Sequence, residues 1–347
     1  MNKIKINSRY VGEDEKCFII AEAGVNHNGD IKKAKKLIEK ASEIGADAVK
    51  FQQANADKTV IKNTPLVKYQ KNQKNLDSQY KMIKKYEFTE GQWLEIADYA
   101  KDFNIIFFSK PSYEESVDTL LKMNVPLMKI GSGEITYLTL LKRVARTDLP
   151  IIMSTGMSTL GEIEEAINTI YKQKNKKIIL LQCTSNYPTD YKNVNLKAML
   201  TLKKAFNLPV GFSDHTLGIT APIAAVALGA CVIEKHFTLD KKLSGPDHKA
   251  SLEPKDFKKM IEKIRITEDC LGSSIKKPLK SEKEIRKLSR KSITANIDIK
   301  KGEKIKKEML AYKRPGIGLS QIYLDKIIGR KAKKDIKKDT VIKWDMI

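Results

Sequence analysis

Short apolar runs alternate with longer amphipathic segments along the first 270 residues of the chain. Such runs are typical of buried strands, and apolar residues three and four positions apart are typical of helices. The eight runs cover residues 18–23, 48–52, 105–109, 127–130, 151–154, 178–182, 210–213 and 231–236. Repeated βα units predict a parallel sheet, and eight of them in about 250 residues favour a (β/α)8 TIM barrel of the α/β class. An open doubly wound sheet is the alternative.

The pattern changes after residue 271. Residues 272–291 are polar and strongly basic, which predicts a linker with helical character. Residues 292–347 contain short apolar runs separated by turns, such as Asp298-Ile-Lys-Lys-Gly302 and the similar Asp335-Ile-Lys-Lys-Asp339. We therefore predict a catalytic barrel over residues 1–271, then the linker, then a small β-rich domain over residues 292–347.

One connection between predicted strands is unusually long. It runs from Ala54 to Glu87 and is rich in Lys, Gln, Asn and Tyr. Loops of this length inside a compact domain are normally functional. We therefore expect a partly helical excursion over the active-site face of the barrel.

The charge of the chain restricts its partners. The formal net charge is +23, but only eight of the 65 basic residues are Arg. Arg most often reads bases and phosphates, and the lysines are spread along predicted solvent faces. The excess of Lys, Ile and Asn is typical of a compositional bias, so we expect no nucleic-acid partner. The positive field still favours an anionic substrate.

Compartment and membrane contact follow from the apolar runs and the cysteines. No run approaches the roughly 18 apolar residues of a membrane span, and charges interrupt the N-terminus where a signal peptide would be apolar. Cys17, Cys183, Cys231 and Cys270 lack the spacing of a zinc site or a redox pair. We expect a cytoplasmic protein with reduced thiols and no membrane partner.

Polar side chains stand at the carboxyl end of every apolar run. They are Glu22, Lys50 with Gln52, Ser109, Lys129 with Ser132 and Glu134, Ser154, Gln182 with Ser185, Ser213 with Asp214 and His215, and Glu234 with His236. Packing alone does not predict this clustering, whereas the active sites of βα barrels lie at that rim. The pattern therefore predicts an enzyme.

The four histidines, His27, His215, His236 and His248, each follow a predicted strand closely. His215 and His236 follow consecutive strands, which are neighbours in a barrel. Two neutral imidazoles there can share a divalent cation whose other ligands are substrate and water oxygens. We predict this pair as metal ligands. For His27 and His248, a metal and a hydrogen-bonded rim position are equally compatible with the sequence.

Lys50 and Lys129 end strands that are otherwise apolar. A desolvated ammonium does not stabilise a barrel strand, so both charges are expected to meet an anion. Serines at the same rim can donate hydrogen bonds to it: Ser132, Ser154, Ser185 and Ser213. Glycines in Gly131-Ser-Gly133 and Ser154-Thr-Gly156 allow the backbone to approach. These residues predict a phosphate and carboxylate pocket.

Eight short motifs follow one another along nearly the whole chain. They are Ala21-Glu-Ala-Gly-Val-Asn-His-Asn-Gly29, Lys50-Phe-Gln52, Lys129-Ile-Gly-Ser-Gly-Glu134, Ser154-Thr-Gly-Met157, Gly211-Phe-Ser-Asp-His215, Glu234-Lys-His-Phe237, Ser244-Gly-Pro-Asp247 and Lys313-Arg-Pro-Gly316. In their sequence and order these motifs resemble the sialic acid synthase family. The resemblance implies a TIM barrel followed by an antifreeze-like (SAF) domain, in a domain-swapped homodimer whose small domains cover the partner's barrel mouth. It also implies that phosphoenolpyruvate, N-acetylmannosamine and water give N-acetylneuraminate and phosphate, with Mn²⁺ or Mg²⁺.

The resemblance also assigns roles to individual residues. The metal ligands are expected to be His215 and His236. Contacts to phosphoenolpyruvate are expected from Lys50, Lys129, Ser132, Ser154, Ser185 and Ser213, and Glu134 is expected among the substrate-binding residues. Contacts to the sugar are expected from Glu22, Gln52, Tyr187, Asp247 and, reaching in from a second copy of the chain, Arg314. Glu22 is expected to handle a proton, and the two lysines to stabilise the anionic groups.

Some positions depart from the family pattern. Ser109-Lys-Pro-Ser112 stands where the family often has Ser-Thr-Pro-Phe, so Lys110 would replace one phosphate contact electrostatically. The segment ending at Asp190 lacks the second proline common there, and Leu288 stands where some members place an aromatic residue.

Several functions remain compatible with the sequence. A legionaminate synthase acting on 2,4-diacetamido-2,4,6-trideoxymannose is the leading alternative, and a pseudaminate synthase fits less well. Related barrels that make eight-carbon sugar acids would not need the domain that carries Arg314. A basic binding protein on a degenerate barrel is the non-enzyme alternative, and the intact set of Lys, His and Glu residues argues against it.

Overall fold

A computed structural model describes residues 3–67, 69–70 and 76–347 of the chain. The chain divides into two compact units, the first ending at Gly272 and the second beginning at Ser273. Each unit has its own hydrophobic core.

An N-terminal hairpin that the apolar pattern did not predict begins the first unit. Strands β1 (Lys3–Ile6) and β2 (Arg9–Gly12) pair antiparallel, and the side chain of Ile6 is buried in the barrel core. The guanidinium of Arg9 contacts Asp47, just before a barrel strand, and donates to the carbonyl of Lys16 (2.8 Å). The hairpin therefore covers the amino end of the barrel, opposite the catalytic rim.

Eight parallel strands form the barrel. They are β3 (Phe18–Gly24), β4 (Ala48–Gln52), β5 (Ile106–Lys110), β6 (Met128–Ile130), β7 (Ile151–Ser154), β8 (Ile178–Cys183), β9 (Val210–Asp214) and β10 (Val232–His236). The ladder runs β5-β4-β3-β10-β9-β8-β7-β6, and β5 and β6 lie side by side where it nearly closes. The predicted TIM barrel is confirmed. Each strand begins and ends within one residue of the limits of the predicted apolar run.

Helices surround the barrel and explain why its strands are almost entirely apolar. They are α1 (Ile31–Glu43), α2 (Ala56–Thr59), α3 (Gln79–Tyr86), α4 (Glu90–Ala100), α5 (Ser116–Lys122), α6 (Leu138–Ala145), α7 (Leu160–Tyr171), α8 (Ala198–Phe206), α9 (Thr220–Ala227) and α10 (Pro254–Leu271). Parallel strands covered on both faces need apolar residues at successive positions. Strand β7, for example, is buried at all of its residues. In the described part of the chain no helix is both long and apolar enough to cross a membrane.

The predicted excursion between β4 and β5 is partly helical, since α2 and α3 belong to it. Its residues 68 and 71–75 lie outside the described residues. The excursion has a small apolar cluster of its own around Leu66, Met82 and Tyr86. An ion pair between Lys84 and Asp57 (2.9 Å) joins its two helices.

The second unit is small and rich in short strands and turns. Strands β11 (Ser292–Ala295) and β12 (Leu310–Lys313) pair antiparallel, and the helices are α11 (Lys283–Ser289) and α12 (Leu324–Ile327). The two similar segments noted in the sequence pair with each other, because Ile299 and Ile336 exchange backbone hydrogen bonds of 2.8 Å. The small, β-rich C-terminal part predicted from the sequence is confirmed.

Candidate active site

Polar side chains from the carboxyl ends of the barrel strands line a cavity of about 420 Å³. We call it the inner chamber; its polar lining is Glu22, Lys50, Gln52, Lys129, Ser132, Glu134, Ser154, Ser185, Tyr187, Ser213, His215, Glu234 and His236. These side chains meet because parallel strands all end at one rim of a barrel. The structure thus brings together the barrel residues to which the family resemblance assigned a role, apart from Asp247.

Buried charges dominate the floor of the inner chamber. The ammonium of Lys50 lies 2.8 Å from Glu22 and 3.5 Å from Glu234. The ammonium of Lys129 lies 3.8 Å from Glu234. All four side chains are almost completely buried. Charges removed from water in this way are costly unless they are paired, so each lysine is held beside a carboxylate.

Burial and pairing shift the pKa values of these four groups in different directions. Burial raises the pKa of Glu22, although Lys50 opposes it. Burial has the same effect on Glu234, but Lys129 and Lys50 outweigh it and hold the pKa of Glu234 below its ordinary value. Burial lowers the pKa of Lys129, whereas the two carboxylates beside Lys50 overcome burial and raise its pKa.

Serine hydroxyls complete the lysine end of the chamber. Lys129 donates to Ser154 Oγ (2.5 Å), and Ser213 donates to Glu234 (2.9 Å). The hydroxyl of Ser132 accepts from the backbone N–H of Gly156 (3.0 Å). A Cβ on Gly156 would lie 2.6 Å from Ser185 Oγ and 2.9 Å from Ser132 Oγ. Glycine is therefore needed there for the serines to gather around one small volume, which suits the three oxygens of a phosphate.

His215 and His236 face each other on adjacent strands, with ring centroids 5.5 Å apart. His215 Nδ1 donates to the carbonyl of Thr184 (2.7 Å), which leaves the Nε2 lone pair free. His236 Nδ1 is buried and has no hydrogen-bond partner among the described residues. Burial lowers the pKa of His215 to about 4 and that of His236 well below its ordinary value.

Neutral imidazoles with available nitrogens are what a divalent metal ion needs, so this pair fits the expected cation. In the described ranges no cluster of three or more His, Cys, Asp or Glu side chains is placed to hold a metal. Asp247 approaches the pair, with a carboxylate oxygen 3.8 Å from His236 Nδ1. The two histidines would hold the cation, and oxygen atoms from substrate and water would complete its shell.

A buried ion pair fixes the spacing of the two histidines. Lys235 and Asp214 lie 2.5 Å apart and are completely buried. Because side chains alternate along a strand, these two residues face away from the chamber while their neighbours His236 and His215 face into it. The pair therefore ties β9 to β10 directly behind the candidate metal site.

His27 and His248 have structural roles. His27 is fully buried and stacks on Phe88, with ring centroids 4.3 Å apart. His248 Nδ1 shares a hydrogen bond of 2.7 Å with Thr238 Oγ1. The rim interpretation therefore holds for both of these histidines in the structure.

Three groups meet where a sugar is expected. Gln52 donates to Glu22 (2.7 Å). A Cβ on Gly24 would lie 3.5 Å from both Gln52 and Asp247. Gly24 has a φ of +52°, and this positive φ favours glycine at the position. Burial raises the pKa of Asp247 to about 7.

A second cavity of about 520 Å³ adjoins the inner chamber beneath the excursion. We call it the side chamber; its lining includes Val25, Gln52, Ala54, Val60, Met82, Ile83, Tyr86, Pro246 and Asp247. Gln52 lines both cavities, as do Tyr69, Gln70, Lys110 and Glu134. The two chambers are therefore contiguous, and Asp247 stands on the side-chamber border.

Other residues highlighted by the sequence are differently engaged. Lys110 pairs with Glu134 (2.7 Å), so its charge is already compensated at the position where it was expected to contact phosphate. Ser109 donates to the carbonyl of Phe51 (2.8 Å) and is fully buried. Gln182 donates to the carbonyl of Val194 (3.3 Å). Arg314 lies in the second unit, exposed directly after β12.

Further departures from the family pattern lie outside the two chambers. Asp190 accepts from the backbone N–H of Lys192 (3.3 Å) at the start of a short turn. Leu288 is exposed on α11 of the second unit.

Glu234 is central to the inner chamber, although the sequence analysis placed it at the rim without assigning it a role. It lies within 4 Å of both lysines and accepts from Ser213. Strand periodicity could have identified it, because Glu234 and His236 are two positions apart and share a face.

The fold and the rim chemistry define a TIM-barrel enzyme, with buried lysines and neutral histidines gathered in one chamber. Residues 37–276 match the NeuB family, and residues 290–347 match the SAF domain. N,N'-diacetyllegionaminic acid synthase of Campylobacter jejuni is 49% identical over 95% of this chain and 99% of its own. Human N-acetylneuraminate-9-phosphate synthase is 34% identical over 98% of this chain and 95% of its own.

A solved structure agrees with these matches. The crystal structure of N-acetylneuraminic acid synthetase from Leptospira borgpetersenii, in complex with citrate, has a TM-score of 0.73 and 34% identity. It covers 82% of this chain and 94% of its own. The chain belongs to the sialic acid synthase family. The predicted family and the enzyme class that it implies are confirmed.

Proposed function

We propose that this chain condenses phosphoenolpyruvate with 2,4-diacetamido-2,4,6-trideoxymannose and water, giving N,N'-diacetyllegionaminate and phosphate. The observation that carries the reaction is the inner chamber, where two buried lysines lie beside two neutral histidines. The choice of sugar is supported by the Campylobacter relative, at 49% identity. N-acetylmannosamine, the acceptor expected from the sequence, is the second candidate, supported by the Leptospira neighbour at 34% identity.

The lysine end of the chamber would bind phosphoenolpyruvate. Lys50 and Lys129 supply charge for its phosphate and carboxylate, and the serines around Gly156 supply donors. Paired ammonium groups on fixed strands keep their positions during reaction, so they stabilise an anion without reorganisation.

The histidine end would bind the reacting end of the sugar. His215 and His236 would hold Mn²⁺ or Mg²⁺, and the bound cation would polarise the aldehyde carbonyl of the open-chain sugar. Glu22 contacts both Lys50 and Gln52, so it links the anion end to the sugar end. Tyr187 packs against His215, with ring centroids 4.1 Å apart, and narrows this part of the chamber.

The reaction forms one carbon–carbon bond and one carbon–oxygen bond from water, and it breaks the carbon–oxygen bond to phosphate. C3 of phosphoenolpyruvate bonds to C1 of the sugar, and the former aldehyde oxygen takes up a proton, for which Glu22 is the carboxyl group at hand. Water then adds to C2, and the tetrahedral intermediate releases phosphate. Lys50 and Lys129 stabilise the anionic groups throughout.

The assembly and the compartment extend the proposal. The family resemblance supports a domain-swapped homodimer in which Arg314 of one copy serves the barrel of the other. A cytoplasmic location suits an enzyme that draws on phosphoenolpyruvate. The proposal also includes the limits of the domains: the catalytic barrel ends at residue 271, and the linker that follows it ends at residue 291.

Product analysis tests the proposed reaction. Purified protein is incubated with phosphoenolpyruvate, Mn²⁺ and each candidate sugar in turn, and the products are identified by mass spectrometry. Higher kcat/KM with the diacetamido sugar is expected. Phosphate release without a nine-carbon product, or preference for N-acetylmannosamine, would contradict the proposal.

A further inference from the structure

The side chamber continues the inner chamber away from the lysines. Gln52 lines both cavities, and Asp247 borders the side chamber while approaching His236. A sugar held by these two polar groups has one end at the histidines and the other end in the side chamber. Because C1 is the carbon that reacts, C4 to C6 must occupy the far end.

The wall of the side chamber combines polar groups with an apolar patch. The polar groups include Lys58, Gln70, Gln79 and Glu87, and the patch is formed by Val25, Val60, Met82, Ile83, the ring of Tyr86 and Pro246. Met82 and Tyr86 are buried in the apolar cluster of the excursion, and Val25 and Ile83 pack against that cluster. The wall is therefore held in place by packing of its own, independent of the barrel core.

The two lysines that line the side chamber are engaged in ion pairs. Lys110 lies 2.7 Å from Glu134, and Lys58 lies 2.9 Å from Glu115. Among the described lining residues, both lysines therefore have a carboxylate partner. A phosphate at C6 of the acceptor, which a nine-carbon 9-phosphate product requires, would have to displace these partners. The chamber suits an uncharged sugar end better.

The two uncharged acceptors differ at this end of the molecule. N-acetylmannosamine carries hydroxyl groups at C4 and C6. The diacetamido trideoxy sugar carries an acetamido group at C4 and a methyl group at C6, so it is larger and less polar there. An apolar wall gains from burying the two methyl groups and gains nothing from hydroxyls.

We infer that the side chamber is a specificity subsite that receives the C4 acetamido group and the C6 methyl group of the acceptor, with Ile83, Met82 and Val25 as its apolar wall. The inference rests on the proposed function and adds the residues that select the sugar. The excursion then determines which sugar is accepted, and the residues at the strand ends carry out the reaction.

Two substitutions test the subsite, and both are measured as the ratio of kcat/KM for the diacetamido sugar to that for N-acetylmannosamine. Ile83→Gln places an amide in the apolar wall, and we expect the ratio to fall about tenfold, the usual order for one apolar contact. Ile61→Gln is the matched control, because Ile61 belongs to the same excursion but is 81% exposed and lies outside the lining. The control should leave the ratio unchanged.

Ala54→Leu gives a second, independent reading by filling the chamber. The smaller chamber should reduce kcat/KM more for the sugar with the larger C4 acetamido group than for the sugar with a hydroxyl there, so the ratio should fall again. An unchanged KM for phosphoenolpyruvate would show that the inner chamber is intact. Thermal melting checks that each variant is folded. An unchanged ratio in both folded variants overturns the subsite while leaving the reaction itself standing. A native enzyme that prefers N-acetylmannosamine or its 6-phosphate overturns the proposed acceptor, and with it the inference.

Discussion

The inner chamber and the side chamber touch, yet the chain builds them from different kinds of structure. The inner chamber consists of side chains at the ends of ladder-paired strands, with Lys50 and Lys129 each within 4 Å of a carboxylate. The side chamber is walled by a long connection with two short helices and a small cluster around Met82. The inner chamber holds charged groups, whereas the side chamber provides space and an apolar patch.

This difference follows from what each region has to hold. Buried charges are tolerated where partners stay within hydrogen-bond distance, which a strand rim enforces and a loop does not. Apolar recognition requires only a wall of suitable size, so a connection can supply it and can vary without disturbing the barrel. Changes in the inner chamber should therefore reduce turnover of every acceptor, whereas changes in the side chamber should alter the choice among acceptors.

Removal of a histidine is the change with the largest expected effect. His236→Ala deletes one of the two imidazoles that would hold the cation, so metal-dependent turnover should be lost with every sugar. Mn²⁺ binding, followed by calorimetry or by the electron paramagnetic resonance of the free ion, should be lost in parallel. His248→Ala is the matched control, because His248 is equally buried but bonded to Thr238, and it should still bind Mn²⁺. Normal Mn²⁺ binding by His236→Ala would refute the metal assignment.

Loss of one lysine in the inner chamber should have the next largest effect. Lys50→Met or Lys129→Met removes a charge-assisted hydrogen bond worth about 1.5–3 kcal/mol, which is about ten- to a hundredfold in affinity or rate. The apparent affinity for phosphoenolpyruvate should fall with either acceptor sugar. Lys58→Met is the control, because Lys58 lies outside the inner chamber and pairs with Glu115. If both inner variants keep the native affinity for phosphoenolpyruvate, the proposed pocket is ruled out.

The same comparison explains what the sequence could and could not predict. The barrel was predictable because strands covered on both faces need apolar runs, and polar residues that interrupt the ends of those runs stand out, as Lys50 and Lys129 do. The side chamber was not, since its wall combines Val25 after β3, Ile83 in the excursion and Pro246 after β10. No local pattern links such distant positions. The pairing of Lys110 with Glu134 was equally invisible, because it joins the end of β5 to the turn after β6 through space.

A further prediction concerns whether Arg314 of the second unit contributes to binding the sugar. If Arg314 reaches the barrel of a second copy, Arg314→Ala should lower kcat/KM for the sugar about tenfold and leave the affinity for phosphoenolpyruvate intact, because guanidinium donors suit acyl and hydroxyl oxygens. Mixed dimers of Arg314→Ala with Lys129→Met should regain activity, since one mixed site is complete. Demonstrably mixed dimers without recovery would refute this contribution.

The smallest expected effect concerns His27, which stacks on Phe88 at the foot of the excursion, where the excursion rejoins the barrel, and meets the ring of Trp93 edge-on. Burial lowers the pKa of His27 to about 3, from 6.5 in an exposed site, although Asp30 opposes the shift. As the pH falls below 6.5 the unfolded chain takes up a proton that the folded chain refuses, so stability decreases towards acid and this contribution continues down to about pH 3.

Between pH 7 and 5.5 this single group should cost about 1 kcal/mol of unfolding free energy. His27→Phe keeps a ring in the stack and cannot titrate, so its denaturant-measured stability should depend less on pH by that amount. Its absolute stability can be higher or lower without affecting the test, because the slope against pH is what reports the proton. Parallel pH profiles for the native chain and His27→Phe would show that the proton is taken up in the folded state, and that the foot of the excursion is more open to water than its packing indicates.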